Sequence, residues 1–454
     1  MLQVSPLIEL TVPCPECAGR LLPANVHFAG IPVFAECTCS SCHNRYWVDL
    51  PAGHALLHPT VISEDERVYF DGLDWYSRLL QTIFQSRSEA KPAKIRVRSR
   101  PSGTKAALIV NCLDTLYGHS LLKFLSSLHY LRRAGELDVI PIIPSSLAWM
   151  LPPMLQSVIE VDAPLASFGS WIGGLDAAVK SLLSLYSATY LAEAVSQPDL
   201  SSVDLSILGP EFMSKGFWQF DCADQKQLTI VAREDRLWIG SERLLPAIRR
   251  RPFLPRRIMQ SMLVRYQNWK FVRLARQAQQ VIPNLRVVIV GLGRTGSFPK
   301  EFVDLRQASM TAASERLWCA EYARSHVVLG VHGSNMLLPS ALAGAVVDLL
   351  PRFKLRNITQ DLIIRDEREP KLCLFRYRVL PLATRPRIVA DTVISVFKDA
   401  QLHFSNVIGN RVTAERSGWP RSIRWKRLGE AHPVETELPP LVNADYQVTG
   451  APTS

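Results

Sequence analysis

The sequence HVVLGVHGSNMLLPSALAGAVVDLLP, residues 326–351, decides the fold predicted for this chain. Its first six residues form an apolar, β-branched run of strand length, and the small polar residues His332 to Asn335 favour a turn and a helix start. Gly344 is placed to end that helix, and a second apolar run follows it. The pattern predicts a β-turn-α-β unit whose turn lies at the carboxyl edge of a parallel sheet. There Gly333 would let a diphosphate approach the backbone, although an ordinary crossover with a core histidine explains the pattern equally well.

The same alternation of strands and helices extends over two segments of the chain. In the first, 105–222, we predict strands at 106–111, 139–143, 158–162 and 203–208, and helices at 119–134, 145–157 and 175–194. In the second, 223–384, we predict strands at 228–232, 285–290, 326–331, 345–350, 358–364 and 372–380, and a helix at 311–324. Alternation at these lengths predicts two parallel, doubly wound α/β domains, with functional side chains where strands end.

Polar residues follow the first predicted strand of the first domain. They are Asn111, Asp114 and His119. Asp114 or His119, if held near an acceptor hydroxyl, has the chemistry to take its proton. The structural alternative is an aspartate at a helix start and a packed histidine.

Arginines mark two candidate ligand sites in the second domain. Arg233 ends the strand 228–232, and a guanidinium suits a diphosphate because its planar fork donates hydrogen bonds in pairs and keeps its charge. Arg294 and Thr295 lie in the glycine-rich turn 291–296, GLGRTG, and are candidate donors to a nucleotide. No crossover helix is evident after this turn, so an ordinary loop is favoured there.

Three segments of the chain together resemble glycosyltransferase family 61. Members have a strand, then His-Gly-Ala or His-Gly-Ser, then a helix and a strand that closes in an acidic residue and proline, as 332–334 (HGS) and 346–351 (VVDLLP) do here. Segment 117–122 (YGHSLL) is similar to the family's aromatic-x-His-x-Leu-Leu motif. Segment 228–245 (LTIVAREDRLWIGSERLL) is similar to its strand ending in arginine. The resemblance covers about residues 105–380.

The resemblance implies a GT-B glycosyltransferase, in which two Rossmann-like domains face each other across a cleft. The first domain would bind the acceptor and the second the nucleotide-sugar donor, whose diphosphate would contact Arg233, His332, Gly333, Ser334 and Asn335. The implied reaction is an inverting transfer of a hexose or pentose to a glycan, lipid-linked or other hydroxyl acceptor, in bacterial surface polysaccharide or glycoconjugate synthesis. No Asp-x-Asp follows a predicted strand, so no catalytic metal is expected. Lys123 stands where the family often has aspartate.

A rival hypothesis is a catalytically inactive scaffold of the same fold, whose N-terminal module and basic helix bind nucleic acid or a partner protein. The enzyme is favoured, because three segments match in the family's order whereas the basic helix is a single feature. Nucleic acid is therefore not the expected partner.

Two CxxC pairs form the most specific local pattern in the chain. The pairs are Cys14 with Cys17 and Cys39 with Cys42, separated by 21 residues. Two such thiolate pairs reach one tetrahedral zinc, and four thiolates leave no open position for chemistry. We therefore predict a structural zinc-ribbon-like module over 1–60, with 45–48 as its last strand, over free cysteines or a redox CxxC. Spacing alone does not settle the ligands, because spare donors lie nearby at Cys37, His27 and His43.

The remaining segments are assigned from their composition. Residues 61–104 are predicted to be a linker with a short helix near 74–86, and 385–427 a C-terminal helix with a basic segment. The tail 428–454 lacks periodicity and is predicted to be disordered.

The net charge of +11 is concentrated in one segment. Residues 249–276 hold nine basic residues and no acidic one. Ile258, Met262, Tyr266 and Trp269 recur there at helical spacing, which predicts an amphipathic helix with a basic face. Such a face suits an anionic membrane, a lipid-linked acceptor or nucleic acid, but a solvated helix surface is favoured.

The composition is that of a globular protein, with 47% hydrophobic and 20% charged residues. The first residues lack the basic region and apolar core of a secretory signal, and no apolar run of about twenty residues predicts a membrane span. Scattered single cysteines, Cys112, Cys222, Cys319 and Cys373, fit a reducing compartment. We therefore expect a cytoplasmic protein of bacterial type, with peripheral contact at the inner face of the membrane through 249–276 left open.

Overall fold

The computed structural model describes residues 1–6, 8, 10, 12–56, 58–72, 74–100, 105–133, 137–194, 203–214, 225–239, 256–364 and 370–415. Within them the helices are α1 Asp74–Gln85, α2 Tyr117–Ser127, α3 Leu175–Leu183, α4 Arg256–Val281, α5 Ala312–Arg324, α6 Leu337–Leu342, α7 Pro370–Arg376 and α8 Pro386–Glu415. The strands are β1 Leu2–Ser5, β2 Leu21–Phe28, β3 Val33–Cys39, β4 Arg45–Asp49, β5 Thr60–Ser63, β6 Val68–Phe70, β7 Lys91–Pro92, β8 Lys94–Arg98, β9 Ala106–Asn111, β10 Asp138–Pro144, β11 Val158–Asp162, β12 Ile172–Gly173, β13 Ala188–Leu191, β14 Gln227–Val231, β15 Arg286–Val290, β16 Val303–Asp304, β17 Val327–Val331, β18 Ala345–Leu350 and β19 Tyr377–Pro381.

Two six-stranded sheets carry the α/β domains. The first has the order β1-β13-β9-β10-β11-β8, with four parallel central strands and an antiparallel strand at each edge. The second, β16-β15-β14-β17-β18-β19, is parallel throughout. Counted along the chain, its strand order is 3-2-1-4-5-6, which is the Rossmann order. The predicted fold class, two Rossmann-like domains after a cysteine-bearing module, is confirmed.

The central strands are buried on both faces, which explains why the sequence pattern located them. Strands β14, β17 and β18 are buried along their whole length. Parallel strands covered on both faces appear in a sequence as continuous apolar runs. The β-turn-α-β unit predicted at 326–351 is therefore present, as β17, a turn, α6 and β18.

Several elements of the first domain differ in type from the prediction. Segment 145–157 has only a short 3-10 helix, Ser145–Met150, because Pro152 and Pro153 do not allow a helix to continue. The helix predicted over 175–194 ends at Leu183, and β13 follows it to pair with β9.

Two further segments also differ. The strand predicted at 203–208 is a 3-10 helix, Leu205–Leu208, which Asp204 caps by accepting a hydrogen bond from the Ser206 amide. In the second domain, 358–364 contains no strand. The strand predicted at 372–380 is divided between the end of α7 and β19.

The N-terminal module is a five-stranded antiparallel sheet, β2-β3-β4-β5-β6. Strand β4 is not its last strand, because β5 and β6 follow from the segment predicted as a linker. The same segment also supplies β8, an edge strand of the first domain.

The module shares its hydrophobic core with the first domain. Phe34 and Trp47 of the module both contact Trp171, with ring centroids 6.2 Å apart in each pair. Asn111 donates hydrogen bonds to the carbonyl oxygens of Gly30 and Ile31 at 2.8 and 3.0 Å. Asn111 therefore holds the module in place, and the partner of the module within this chain is the first domain.

The last described helix, α8, continues to Glu415, and the predicted disordered tail 428–454 lies outside the described residues. Among the helices that the structure describes, none combines the length and apolar character that a membrane crossing needs.

Candidate functional site

The carboxyl ends of the two six-stranded sheets meet around a cavity of about 250 Å³. The first domain lines it with residues that follow β9, β10 and β11. The second domain contributes residues that follow β14, β15 and β17, and one side of α5. The polar side chains of the lining include Tyr117, Ser146, Arg233, Glu315, Ser334 and Asn335. The cavity therefore lies where the second sheet reverses its strand order, between β14 and β17, which is where α/β proteins bind ligands.

The two domains approach closely at Gly118 in α2. A Cβ atom at Gly118 would lie 2.7 Å from Cβ of Ser334 and 3.3 Å from Cδ1 of Leu337. Side-chain carbons do not approach to 2.7 Å, so any larger residue at this position would push the domains apart. Gly118 thus sets the width of the cleft beside the 332–335 turn.

Three of the predicted donor-site residues, Arg233, Ser334 and Asn335, line the cavity. Arg233 forms a two-pronged ion pair with the exposed Asp235, at 2.8 and 2.9 Å. Asn335 donates from Nδ2 to the carbonyl oxygen of Val331 at 3.1 Å, while its Oδ1 is buried without a hydrogen-bond partner. Oγ of Ser146, on the opposite domain, is also buried and unpartnered. The lining thus contains hydrogen-bonding atoms that the described protein does not satisfy, as expected of a polar ligand site.

Glu315, in the first turn of α5, is the acidic residue of this lining, and it is not among the site residues predicted from the sequence. Its side chain is buried, and its carboxylate makes no hydrogen bond to the described residues. Burial raises the pKa of Glu315 to about 7, although Arg233 acts in the opposite direction. A carboxyl with that pKa can exchange a proton near neutral pH. Nothing in the local sequence marks Glu315, since its burial depends on packing between the two domains.

His332 does not line the cavity. Its ring is fully buried and forms an ion pair through Nδ1 with Asp348, while Nε2 lies 3.3 Å from the carbonyl oxygen of Asn357 and 3.5 Å from Oδ2 of Asp361. Burial alone would lower the pKa of His332, but Asp348 and Asp361 outweigh burial and raise it. With acceptors near both ring nitrogens, the protonated form of His332 is stabilised beneath the turn.

Gly333 has two reasons to be glycine. Its φ of 148° lies in a region that side chains rarely adopt. A Cβ atom there would also lie 1.8 Å from Nη1 of Arg236. That guanidinium donates to the carbonyl oxygen of His332 at 3.2 Å. Gly333 therefore brings a second arginine against the 332–335 turn.

The glycine-rich turn 291–296 binds a carboxylate of the protein itself. Thr295 donates to Glu234 from its amide at 2.6 Å and from its hydroxyl at 3.0 Å. Arg294 donates to the carbonyl oxygen of Arg306 at 3.1 Å. Arg294 and Thr295, predicted as candidate hydrogen-bond donors to a nucleotide, thus donate to other groups of the protein in this structure. The residues of this turn that line the cavity are Gly291 and Leu292.

Asp114 and His119 form a separate cluster with Lys123 and His54. Lys123 lies 3.0 Å from Oδ2 of Asp114, and Nδ1 of His119 lies 3.4 Å from Oδ1. Burial acts to raise the pKa of Asp114, but Lys123 and His119 outweigh it and hold that pKa well below its usual value. Burial also lowers the pKa of His54 to about 4, so this ring is neutral. His54, Asp114 and His119 lie close enough to hold a metal ion. The ammonium group of Lys123, which is paired with Asp114, would repel a cation bound there.

A chain of hydrogen bonds links the two predicted histidines across the domains. Nε2 of His119 lies 3.2 Å from the Gln360 side-chain amide nitrogen, which can donate to it. Asn357 donates to the side chain of Gln360, and its carbonyl oxygen faces His332. The connection after β18 therefore bridges the Asp114 cluster and the 332–335 turn.

The four predicted zinc ligands come together in the N-terminal module. Cys14 and Cys42 have their Sγ atoms 3.7 Å apart, and Cys17 and Cys39 have theirs 3.4 Å apart. A tetrahedral zinc with bonds of about 2.3 Å places its thiolates about 3.8 Å from one another, so the arrangement fits. The amide of Ser41 donates to Sγ of Cys39 at 3.4 Å, as the turn of a zinc knuckle does.

The spare donors are not part of this cluster. The Cys37 thiol donates to the carbonyl oxygen of Ala35 at 3.5 Å, and burial raises its pKa to about 12. His27 lies 3.2 Å from Glu36 and 3.8 Å from Asp176. The cluster is therefore Cys14, Cys17, Cys39 and Cys42, which can hold a metal.

Comparison with known proteins gives no family for the chain. No family model matches it, and no curated protein matches it. Among solved structures, a protein assigned as a UDP-N-acetylglucosamine 2-epimerase from Listeria monocytogenes is 8% identical, with a TM-score of 0.31 over 71% of this chain and 100% of that chain. A trehalose-6-phosphate structure from E. coli bound with UDP-2-fluoro glucose is 12% identical, with a TM-score of 0.20 over 70% of this chain and 74% of that chain. The α,α-trehalose 6-phosphate synthase from Burkholderia multivorans is also 12% identical, with a TM-score of 0.20 over 78% and 79%.

At these TM-scores the fold rests on the strand order of the chain itself. Two Rossmann-like sheets with their carboxyl ends around one cavity form an arrangement of GT-B type.

Proposed function

We propose that this protein is a metal-independent, inverting glycosyltransferase of the kind found in family 61. It would move a hexose or pentose from a nucleotide sugar to a hydroxyl of a glycan or lipid-linked acceptor. The observation that carries the proposal is the cavity between the two sheets, where an arginine, an unpartnered amide oxygen, an unpartnered hydroxyl and a buried carboxyl converge. A polar ligand that carries both anionic and hydroxyl groups suits such a lining.

The donor diphosphate is assigned to the second domain, at Arg233, Ser334 and Asn335. The Arg233 guanidinium has a pair of hydrogen-bond donors, and in this structure both donate to Asp235, whose side chain is 57% exposed. An ion pair with an exposed partner contributes at most about 1 kcal/mol, so a diphosphate can displace Asp235 without a large loss. Gly333 and Arg236 add an open backbone and a second cation beside the turn. Fixed donors of this kind neutralise a leaving diphosphate without a metal ion.

Glu315 is the preferred proton acceptor. In a single displacement, the base removes the acceptor proton while the acceptor oxygen bonds to the anomeric carbon, and the diphosphate leaves with the electrons of the broken bond. Glu315 lines the cavity and has a pKa near 7, whereas Asp114 is neutralised by Lys123 and neither Asp114 nor His119 lines the cavity. Asp114 and His119 are assigned instead to positioning the acceptor side of the cleft, through the bridge from Gln360 to the 332–335 turn.

The decisive experiment is a thermal-shift screen of the purified protein against UDP, GDP, CDP and their sugars. The dependence of binding on a metal ion should be tested by adding Mg²⁺ or Mn²⁺. A chelator is unsuitable, because it would also remove a zinc from the cysteine cluster. Selective stabilisation by one nucleotide, equal with and without added cation, is the expected result. Absence of a shift with every nucleotide would contradict the proposal, and a shift that requires Mg²⁺ or Mn²⁺ would contradict its metal-independent form.

A further inference from the structure

The outer face of α4 is an exposed surface of mixed apolar and basic residues. The large apolar residues predicted to mark an amphipathic helix, Ile258, Met262, Tyr266 and Trp269, are 48–61% exposed. The core is contacted instead by other residues of α4, among them Phe271, Leu274, Ala275 and Ala278. Lys270, counted with the basic residues of this segment, is also buried and donates to the carbonyl oxygen of Trp238 at 3.1 Å. The helix therefore carries large apolar side chains on its outer face as well as on the face that packs against the core, unlike an ordinary surface helix.

Arginines share this face with the apolar residues. Arg265, Arg273 and Arg276 fall on the same side of the helix as Met262 and Trp269, because all are spaced by three, four or seven residues. The rings of Tyr266 and Trp269 stack at 5.8 Å, and the Arg273 guanidinium lies 5.4 Å from the centre of the Trp269 ring. We call the exposed set Ile258, Met262, Arg265, Tyr266, Trp269, Arg273 and Arg276 the α4 face.

A groove beside the α4 face brings in one arginine from another helix, Arg387 of α8. It is lined by Trp269, Val272, Arg273, Arg276, Gln277, Gln280 and Arg387, with a volume of about 580 Å³. No acidic side chain lines it, although Arg276 forms an ion pair with the exposed Glu301 at 3.4 Å and Gln277 donates to Asp391 at 2.9 Å beside it. Three guanidinium groups around one groove suit phosphodiester oxygens.

We infer that the α4 face docks the protein onto an anionic phospholipid bilayer. Tyr266 and Trp269 match the boundary between headgroups and acyl chains, where aromatic side chains with a polar edge are favoured. Ile258 and Met262 enter the acyl region, and the arginines bind headgroup phosphates. The surface charge is complementary, since residues 249–276 contain no acidic residue.

A bilayer fits this surface better than a nucleic acid or a protein partner does. A nucleic-acid surface needs cations and stacking rings, but it has no use for exposed isoleucine and methionine side chains beside them. A protein partner would have to supply an acidic and apolar surface of matching shape, whereas a bilayer supplies both chemistries at the depths where a helix lying in its surface needs them. The inference does not depend on transferase activity.

The test is co-sedimentation of the full-length protein with vesicles of phosphatidylcholine alone or with phosphatidylglycerol added. Because the chain has ten tryptophans, the emission of Trp269 is taken as the difference between the unchanged protein and Trp269→Phe, and it should shift to shorter wavelength on binding to anionic vesicles. Replacing Arg265, Arg273 and Arg276 by glutamine should weaken binding about 100-fold, since each arginine near an anionic surface contributes about fivefold. Met262→Ser with Trp269→Ser should weaken binding while leaving its salt dependence in place.

Matched controls come from α1, which carries an equally exposed pair. Trp75 is 51% exposed and Arg78 pairs with Asp74 on the surface, so Trp75→Ser with Arg78→Gln should bind vesicles like the unchanged protein. Binding to anionic vesicles that the α4 variants lose and the α1 variant keeps would establish the docking face. The inference is overturned if the protein fails to bind anionic vesicles, or if both sets of variants bind equally. It is also overturned if a short RNA binds the α4 face more tightly than the vesicles do.

Discussion

The ammonium group of Lys123 lies 3.0 Å from Oδ2 of Asp114 and 3.0 Å from the carbonyl oxygen of Leu113, and both side chains are almost fully buried. The pair explains how a lysine is tolerated at this buried position. Each charge neutralises the other, and Lys123 holds the pKa of Asp114 well below its usual value despite burial.

Removing one member of this pair should destabilise the protein strongly. Lys123→Met leaves the Asp114 carboxylate buried without its cation, and we expect a loss of about 3–5 kcal/mol in the free energy of unfolding. Lys123→Met with Asp114→Asn should recover most of that loss, because no charge remains buried. Chemical denaturation of the single and double variants measures both values. Equal stability of Lys123→Met and the unchanged protein would show that the pair is not formed in solution.

Glu315→Gln should slow transfer strongly and leave the protein folded. We expect a fall of at least about 100-fold in kcat, the usual contribution of a general base, with nucleotide binding retained. Glu301→Gln, an exposed glutamate that does not line the cavity, is the matched control and should keep full activity. Activity of the unchanged protein should rise with pH through about 7, where Glu315 loses its proton. A flat profile between pH 6 and 8 would remove Glu315 from the role of base.

The same carboxyl predicts a pH dependence of stability with a defined sign. The folded protein holds the Glu315 proton with a pKa of about 7, against 4.5 for the ordinary group, so the folded state binds this proton more tightly than the unfolded state. Stability from this group is complete below about 4.5 and is lost as pH rises toward 7. Glu315→Gln should therefore lose less stability than the unchanged protein between pH 5 and 7.5 in denaturation curves. A greater loss for the variant would contradict the raised pKa.

The parts of the fold found from the sequence are those that local pattern alone determines. The 326–351 unit was predictable because β17 and β18 are continuous apolar runs and the turn between them is short and polar. Strand β13 was not, since Ala188–Leu191 is too short to stand out from the apolar helix pattern before it and is fixed by pairing with β9. The 61–104 segment has no strong hydrophobic periodicity either, and its strands are determined by pairing with the sheets that they join.

The candidate site was predictable only in part, for a related reason. Arg233, Ser334 and Asn335 follow strands of the second sheet, and strand ends can be recognised in a sequence. The role of Glu315 depends on desolvation by Tyr117, Trp318 and Tyr322 around the cavity, and Tyr117 comes from the other domain. The pairing of His332 with Asp348 likewise joins a residue that follows β17 to one within the neighbouring strand β18. Long-range packing of this kind leaves no mark in the local sequence.

Arg233→Ala and His332→Ala should both impair nucleotide binding, but for different reasons. Arg233 lines the cavity and pairs with a partly exposed aspartate, so its loss should remove binding with little change in stability. His332→Ala leaves Asp348 buried without its cation and should cost about 3–5 kcal/mol in the free energy of unfolding. Calorimetric titration with the selected nucleoside diphosphate, alongside denaturation, separates the two. A His332→Ala variant as stable as the unchanged protein would contradict the pairing of His332 with Asp348.

We expect the four-cysteine cluster to bind zinc, and we expect the bound zinc to stabilise the first domain as well as the N-terminal module. The purified protein is expected to contain one zinc per chain, measured by elemental analysis, and Cys17→Ser should lose it. Cys37→Ser is the matched control, because Cys37 lies on the same strand as Cys39 but donates to Ala35 away from the cluster. Since the core of the module is shared with the first domain through Phe34, Trp47 and Trp171, loss of the metal should lower the melting temperature of the first domain as well. A zinc-free protein with unchanged melting, or zinc loss in Cys37→Ser alone, would contradict the assignment of the ligands.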